Sequence, residues 1–423
     1  MGFDVISLII FVVCIGLFIW DKLPMATTAI LGCVLMVICG VCEFKTAFGQ
    51  FASSTVILTI GVMIIGAAIS ETGLAAVIGD KIVKLSKGSE NKLIVSTYLA
   101  SAFMSAFLTN SAVLAIFIPI IMGLSKTNDR IKSKNLIMPI AFGCVIGGAS
   151  TLVGSTQQMT AQGLLEEAGI RTFKTFDFSL VGGILIVLGL FYCLFIGRKR
   201  GERIWGDRPQ EDADYEVHAK SAEYNRTKII IMTVIFALTI VFYITEWIPL
   251  AITSSAAALL CIITGCITQK KAISSVNWNI VGRLAGCLGL AKALESAGGT
   301  KLIADGFSAV VGDSVSPFLL FCILVLLVQV TSEFISNSTA ILIVLPIVIA
   351  IAPNLGLNTY AYALGITLAS GVALSCPLAS STLGMSMSVG YRFNDYFKYS
   401  IFFDIISYLT IIVLVPLIYG LTA

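Results

Sequence analysis

Residues 107–120 read Phe-Leu-Thr-Asn-Ser-Ala-Val-Leu-Ala-Ile-Phe-Ile-Pro-Ile, and residues 334–347 read Phe-Ile-Ser-Asn-Ser-Thr-Ala-Ile-Leu-Ile-Val-Leu-Pro-Ile. Each apolar run is broken near its start by one polar cluster, Thr109-Asn110-Ser111 or Ser336-Asn337-Ser338. Each then reaches a proline nine residues after the asparagine. The match extends outward. Leu23-Pro24 pairs with Ile248-Pro249, Gly40 with Gly265, Lys45 with Lys270 and Ala47 with Ala272, all 225 residues apart. The tips themselves are 227 apart, and the shift returns to 225 at Ser150/Ser375 and Ser155/Ser380. An ordered series of this kind is the signature of an internal repeat. The chain therefore reads as two copies of one unit, residues 1–197 and 229–423, joined by a polar segment, residues 198–228, placed on the cytoplasmic side.

Composition states what solvent surrounds these copies. Of 423 residues, 57% are hydrophobic and 12% charged, and the mean hydropathy is +0.97. A soluble chain carries about a quarter charged residues, so a soluble enzyme, a nucleic-acid binder and a disordered scaffold are excluded. Long continuous runs such as Val5–Trp20 and Ile229–Ile244 approach the ~20 residues a helix needs to cross the hydrocarbon layer. Transmembrane barrels instead use alternating segments of about ten. The class is an all-α polytopic membrane protein. Val5–Trp20 follows Asp4 and lacks a basic flank or a small-residue cleavage site, so it reads as a retained helix.

Each copy reads as five spanning helices, one of them broken, plus a hairpin that enters and leaves on one side. Residues 93–124 and 317–352 form the hairpins. Interruptions at Gly147-Gly-Ala-Ser-Thr151 and at Ser375-Cys-Pro377 mark the broken helices. Non-helical backbone at membrane depth is tolerated only where protein buries it or a watery cavity meets it. Matching interruptions in two halves are the sequence pointer to a transporter's binding site. Five crossings per copy make the second copy inverted relative to the first. The basic residues agree, because cytoplasmic loops collect Lys and Arg. Twenty-one of the 27, at positions 22, 81–92, 126–134, 198–228, 270–271 and 392–398, fall on the side of the central segment, against four (Lys45, Arg171, Lys174, Lys301) opposite. Both termini are expected outside the cell membrane.

The tips and breaks carry hydroxyls, amides and small residues, with no Lys or Arg in the motifs. A helix begins after each, and helix starts present N–H groups and a positive dipole end, which favour an anion. Hydroxyl and carbonyl oxygens suit a hard cation such as sodium. Proton relays use intramembrane Asp, Glu or His, and the tips hold none. The nearest acid, Glu333, either braces its tip or takes a proton. Arg283 and Asp404 lie at similar depth, where an ion pair and a snorkelling Arg283 are both open. No nucleophile–base pair supports an enzyme. Eleven cysteines are scattered among apolar residues, the Cys39/Cys42 pair has no companion site, and His218 falls in the charged central segment.

The tips and their Leu-Pro-Ile or Ile-Pro-Ile continuations resemble the hairpin motifs of the divalent anion/sodium symporter family (solute carrier family 13) of the ion transporter superfamily. Gly147-Gly-Ala-Ser-Thr-Leu-Val-Gly154 resembles that family's first broken-helix loop, and Gly390-Tyr-Arg-Phe-Asn-Asp395 the stretch before its last helix. The resemblance implies a homodimeric elevator-type secondary transporter carrying di- or tricarboxylates such as citrate, or another divalent anion, in symport with sodium. It implies one sodium site at Thr109, Asn110, Ser150 and Gly154, and a second at Ser336, Asn337, Ser375 and Ala379. Substrate contacts would be Asn110, Ser111, Ser155, Asn337, Ser338 and Ser380. This chain departs from the family where Thr-Pro-Pro is replaced by Ser155-Thr156-Gln157 and Ser380-Ser381-Thr382, in exchanging the tip hydroxyls, and in lacking the extra first helix. A sodium-independent anion exchanger on the same fold, and a cation/proton antiporter or arsenite-type permease of the superfamily, remain alternatives.

Overall fold

A computed structural model describes residues 2–20, 23–85, 89–127, 131–206, 225–311, 316–377 and 380–422. His218 and Ala379 lie outside the described residues. The described chain is helical apart from one isolated bridge between Leu357 and Thr422. The first half runs α1 (Phe3–Trp20), α2 (Met25–Ile38), α3 (Phe44–Phe48), α4 (Ser54–Glu71), α5 (Leu74–Leu85), α6 (Glu90–Ser105), α7 (Asn110–Thr127), α8 (Ser133–Gly148), α9 (Thr156–Glu167), α10 (Ser179–Phe191) and α11 (Arg198–Trp205). The second runs α12 (Arg226–Thr245), α13 (Leu250–Ile263), α14 (Gln269–Ser275), α15 (Trp278–Ser296), α16 (Gly299–Val311), α17 (Pro317–Phe334), α18 (Asn337–Ile351), α19 (Thr359–Gly371), α20 (Ser381–Ser386) and α21 (Phe393–Tyr419). The order is the same in both halves, with α10 and α11 together standing where α21 stands.

Local signals repeat with the elements. α2 and α13 each begin after a proline, Pro24 and Pro249, with φ of −54° and −51°. Proline's fixed φ and missing N–H suit a helix start. Both end at a glycine, Gly40 and Gly265, with φ of +71°, the left-handed turn that a Cβ disfavours. These stops make α2 and α13 shorter than the runs 25–41 and 250–267 that hydropathy alone marks out. α4 and α15 begin under side-chain caps, Ser53 accepting from Val56 N and Asn277 from Asn279 N and Ile280 N.

Among the described residues, five stretches are long and apolar enough to cross a membrane: 44–71, 179–205, 226–245, 317–334 and 393–419. Six further apolar helices are shorter. α17, the first arm of the second hairpin, is 18 residues long, about 27 Å at 1.5 Å per residue. It is therefore a longer arm than a half-length run. The polar segment also differs from a plain linker at its start. α10 passes through a π-helical turn, Tyr192–Gly197, into α11. There Trp205 is buried, stacks on Tyr399 at 5.4 Å and donates from Nε1 to Asn135 Oδ1 at 2.9 Å.

The halves are joined by exchange. α4 packs on α13, and α2 on α15. At the first contact a Cβ on Gly61 would stand 2.7 Å from Ser254 Cβ; at the second, one on Gly286 would stand 2.9 Å from Ala29 Cβ. Adding 225 to Gly61 and Ala29 gives Gly286 and Ser254. The two contacts are images of each other under the repeat. The hairpin α6/α7 packs on α8, and α17/α18 on α19, while α18 also packs on α9 and α20 on α7.

Candidate functional site

At the first tip, α6 ends at Ser105 and α7 begins at Asn110. Ser105 Oγ donates to Asn110 Oδ1 at 2.7 Å, and Asn110 Nδ2 donates to Ser155 Oγ at 3.3 Å. Asn110 thus bridges the hairpin to the loop between α8 and α9. The loop approaches closely because two residues lack side chains. A Cβ on Gly148 would lie 2.1 Å from Asn110 Oδ1, and one on Gly154 would lie 2.6 Å from the Gly148 carbonyl oxygen and 2.7 Å from that of Ser105. Thr151 Oγ1 accepts from Gly154 N at 3.1 Å and donates to the Ala106 carbonyl. Asn110 and Gly154 are therefore brought together. Ser150 turns its hydroxyl back to the Gly147 carbonyl at 2.6 Å, and Thr109 is exposed. Ser105, Gly148 and Thr151 complete the cluster in their place.

At the second tip, Ser336 caps α18, accepting from Thr339 N at 3.3 Å and lying 2.6 Å from Thr339 Oγ1. Asn337 opens the helix. Its carbonyl accepts from Ser370 Oγ at 2.9 Å, and its buried Oδ1 has no partner among the described residues. Ser375 turns its hydroxyl toward α21. Its N–H donates to Glu333 Oε1 at 3.1 Å and its hydroxyl to Asp404 Oδ2. Glu333 and Asp404 therefore meet at Ser375. Glu333 thus ties the hairpin to the loop after α19 and to α21. Asp404 belongs to this brace and does not meet Arg283. Arg283 instead crosses from α15 to the tip, donating from Nη1 to Ser336 Oγ at 3.4 Å. A fixed positive charge therefore reaches a site whose own motifs carry none.

Each tip meets the broken helix of the other half. Ser111 Oγ lies 2.8 Å from Ser381 Oγ and 3.3 Å from Thr382 Oγ1; Thr156 Oγ1 lies 3.0 Å from Ser338 Oγ. The start of α7 faces α20 of the other half, and the start of α18 faces α9. Of the expected substrate contacts, Ser111 and Ser338 take part directly, while Ser155 holds Asn110 of its own half. Ser380 sits behind as the cap of α20, accepting from Thr382 N at 3.2 Å. Thr156 and Ser381 stand where the family has prolines, and here they supply hydroxyls to the crossing. Three of the four helices are 12 residues or longer, so their unpaired first-turn N–H groups and dipoles converge on one region. Among the described residues no group of three metal-ligating Cys, His, Asp or Glu side chains exists. Burial pushes the Cys42 thiol up, against the shift that a reactive or metal-binding thiol needs.

A second polar contact lies at the far end of α9. Glu166 accepts from Ser54 Oγ at 2.6 Å and Thr55 Oγ1 at 3.2 Å. Glu167 Oε2 accepts from Gln50 Nε2 at 2.7 Å, and the Glu167 carbonyl from Lys292 Nζ at 2.8 Å. Lys292 is also paired with Glu295 at 3.1 Å. A cavity of about 380 Å³ opens beside this clamp, lined by Leu164, Glu167, Leu294, Lys301, Pro346 and Asn354 among others.

Comparison with known proteins places this arrangement. A sequence model described as "Citrate transporter" (CitMHS) matches residues 15–367 and 240–422. An uncharacterized transporter of Haemophilus influenzae is 26% identical over 388 residues, spanning 86% of this chain and 80% of its own. The sodium-dependent dicarboxylate transporter SdcS of Staphylococcus aureus is 21% identical over 401 residues, spanning 86% and 75%. Among solved structures, the YdaH transporter of Alcanivorax borkumensis superposes with a TM-score of 0.62 at 15% identity, covering 89% of this chain and 88% of that one. MtrF of Neisseria gonorrhoeae gives 0.61 at 11%, covering 91% and 84%.

Proposed function

The chain belongs to the citrate transporter family, of the divalent anion/sodium symporter type, and from that premise we propose that it carries di- or tricarboxylates across the cell membrane in symport with sodium. The observation that carries this reading is the crosswise meeting of helix starts from both halves, dressed with neutral hydroxyls and amides. Converging N–H groups and dipole ends favour a multiply charged anion. The first tip also fits the co-transported ion. Asn110 Oδ1 and the Ser105 and Gly148 carbonyl oxygens crowd the space around Gly148 and Gly154, a set of hard oxygens of the kind sodium takes. On this reading Asn110 and Gly154 serve the first ion, with Thr109 and Ser150 around them. Ser336 and Asn337 serve the second, with Ser375 and Ala379. Asn110, Ser111, Ser155, Asn337, Ser338 and Ser380 surround the substrate. The two halves are inverted copies, residues 1–197 and 229–423. The hairpins and broken helices move as one body against α2, α4, α13 and α15 in a homodimer, with both termini outside.

The Glu333–Asp404 brace favours a second reading, in which a proton takes the place of the second sodium. Glu333 and Asp404 both reach Ser375, one at its N–H and one at its hydroxyl, and acids gathered in this way between helices are the groups a proton relay uses. The test is uptake of citrate, succinate and sulfate into proteoliposomes under an imposed sodium gradient, a pH gradient, or neither. Sodium-driven accumulation that disappears in Asn110→Ala/Asn337→Ala is the expected result. Accumulation driven by the pH gradient alone would select the second reading. Uptake that needs only internal anion would mean exchange. Sodium-driven uptake that survives the double substitution would sink the site assignment.

A further inference from the structure

We propose that Arg283 is an anion-binding residue, whose guanidinium receives an oxygen pair of the transported anion against the first turn of α18. This rests on the anion-transport reading above and adds to it the fixed charge that the tip motifs lack. The placement follows from packing. α15 lies close on α2, where a Cβ on Gly282 would sit 3.3 Å from Ala26 Cβ and one on Gly286 2.9 Å from Ala29 Cβ. Between these glycines Arg283 leaves the contact, passes Met25 Sδ at 3.9 Å and ends at Ser336 Oγ at 3.4 Å.

A guanidinium carries five N–H donors and keeps its charge. Among the described residues its acceptors are a distant hydroxyl and a thioether, and no carboxylate lies within ion-pair distance of it. The hydroxyl is itself committed to Thr339. Lys292, the other basic residue of α15, has Glu167 and Glu295. A charge left without a carboxylate among packed helices is costly and marks a functional position. Beside Arg283 the first turn of α18 opens at Asn337, with its N–H groups turned toward the helix start. The planar fork on one side and the helix start on the other fit a carboxylate, or two oxygens of a tetrahedral oxyanion. Under the 225-residue shift Arg283 corresponds to Leu58, buried in α4. The two ends of a bound anion are therefore held unequally, one by a charge and one by neutral groups around Asn110.

The test is anion-dependent thermal stabilisation of the purified full-length protein by citrate, succinate and sulfate, with chloride as control. In Arg283→Leu the half-saturating anion concentration should rise by about 10- to 100-fold, the worth of a charge-assisted pair. Arg283→Lys, which keeps the charge without the fork, should lose less. The anion-free melting temperature of Arg283→Leu should equal or exceed that of the parent, because an unpaired charge has been removed. The ratio of the citrate to the sulfate effect separates a carboxylate site from a general oxyanion site. Unchanged half-saturation in Arg283→Leu would overturn this inference and leave the transport reading standing, as would a lower anion-free melting temperature with the anion response intact. A parent protein that responds to none of the three anions would overturn both.

Discussion

A Cβ on Gly148 would stand 2.1 Å from Asn110 Oδ1 and 2.6 Å from Ser155 Oγ, so the first broken helix reaches its hairpin only because that position is bare. Gly148→Ala should push Asn110 off its two partners and lower sodium-driven citrate uptake by at least about ten-fold, the equivalent of one lost buried hydrogen bond. Gly183→Ala, where nothing lies within 4 Å, should transport normally at equal expression. Equal rates for the two variants would remove Gly148 from the site. Asn110, Ser111 and Ser338 are legible in sequence because polar groups inside apolar runs are expensive and so conspicuous. The side-chain direction of Ser375 is not legible. It depends on Asp404, 29 residues away, which the sequence offers to Arg283 as readily as to Ser375. The reach of Arg283 depends on how closely α15 lies on α2, 250 residues earlier, which glycine spacing hints at without fixing a partner.

Element boundaries followed chemistry that sequence displays when the signal is local. The prolines before α2 and α13 and the glycines after them end hydrophobic runs that hydropathy alone would have prolonged. The continuation of α10 into α11 is the opposite case. Arg198-Lys-Arg-Gly-Glu-Arg203 has the composition of a solvated linker, yet Arg198 pairs with Glu90 at 3.3 Å and Trp205 anchors the end against Tyr399, Tyr391 and Asn135. One buried aromatic outweighs the polarity around it. Trp205→Ala should therefore loosen α11, with a loss of about 3–5 kcal/mol if the indole's full burial counts. Limited proteolysis should then cut between residues 198 and 206, where the parent resists. An unchanged digestion pattern would show that the helix holds without its anchor.

For the whole molecule, the clamp at the far end of α9 makes the elevator reading concrete. On the proposed elevator reading, Glu166 and Glu167 end a helix of the group that moves, whereas Ser54, Thr55, Gln50 and Lys292 lie on the other side of the contact. If one group slides past the other, these bonds must break in each cycle. Joining Gln50→Cys to Glu167→Cys with a short cleavable thiol crosslinker should stop uptake, and cleaving the link should restore it. Undiminished uptake in the linked protein would mean that the two groups do not slide at this contact. The all-helical membrane class was legible from composition and hydropathy, and the helix starts at Asn110 and Asn337 from the polar clusters inside apolar runs. How the two copies embrace was not, because no local pattern specifies a partner from the other half.

That embrace also bears on how the protein is made. Gly61 of α4 waits for Ser254, and Ala29 of α2 waits for Gly286, so neither half can bury its own packing faces while it emerges from the ribosome alone. About two hundred residues must enter the bilayer and stay soluble in lipid with their glycine-faced seams open, until the complementary seams arrive. During synthesis the first half is thus an assembly intermediate, and maturation is the docking of two preformed pieces of one chain. Substitutions at the seams would then lower the yield of mature protein in the membrane before they altered any property of the finished transporter.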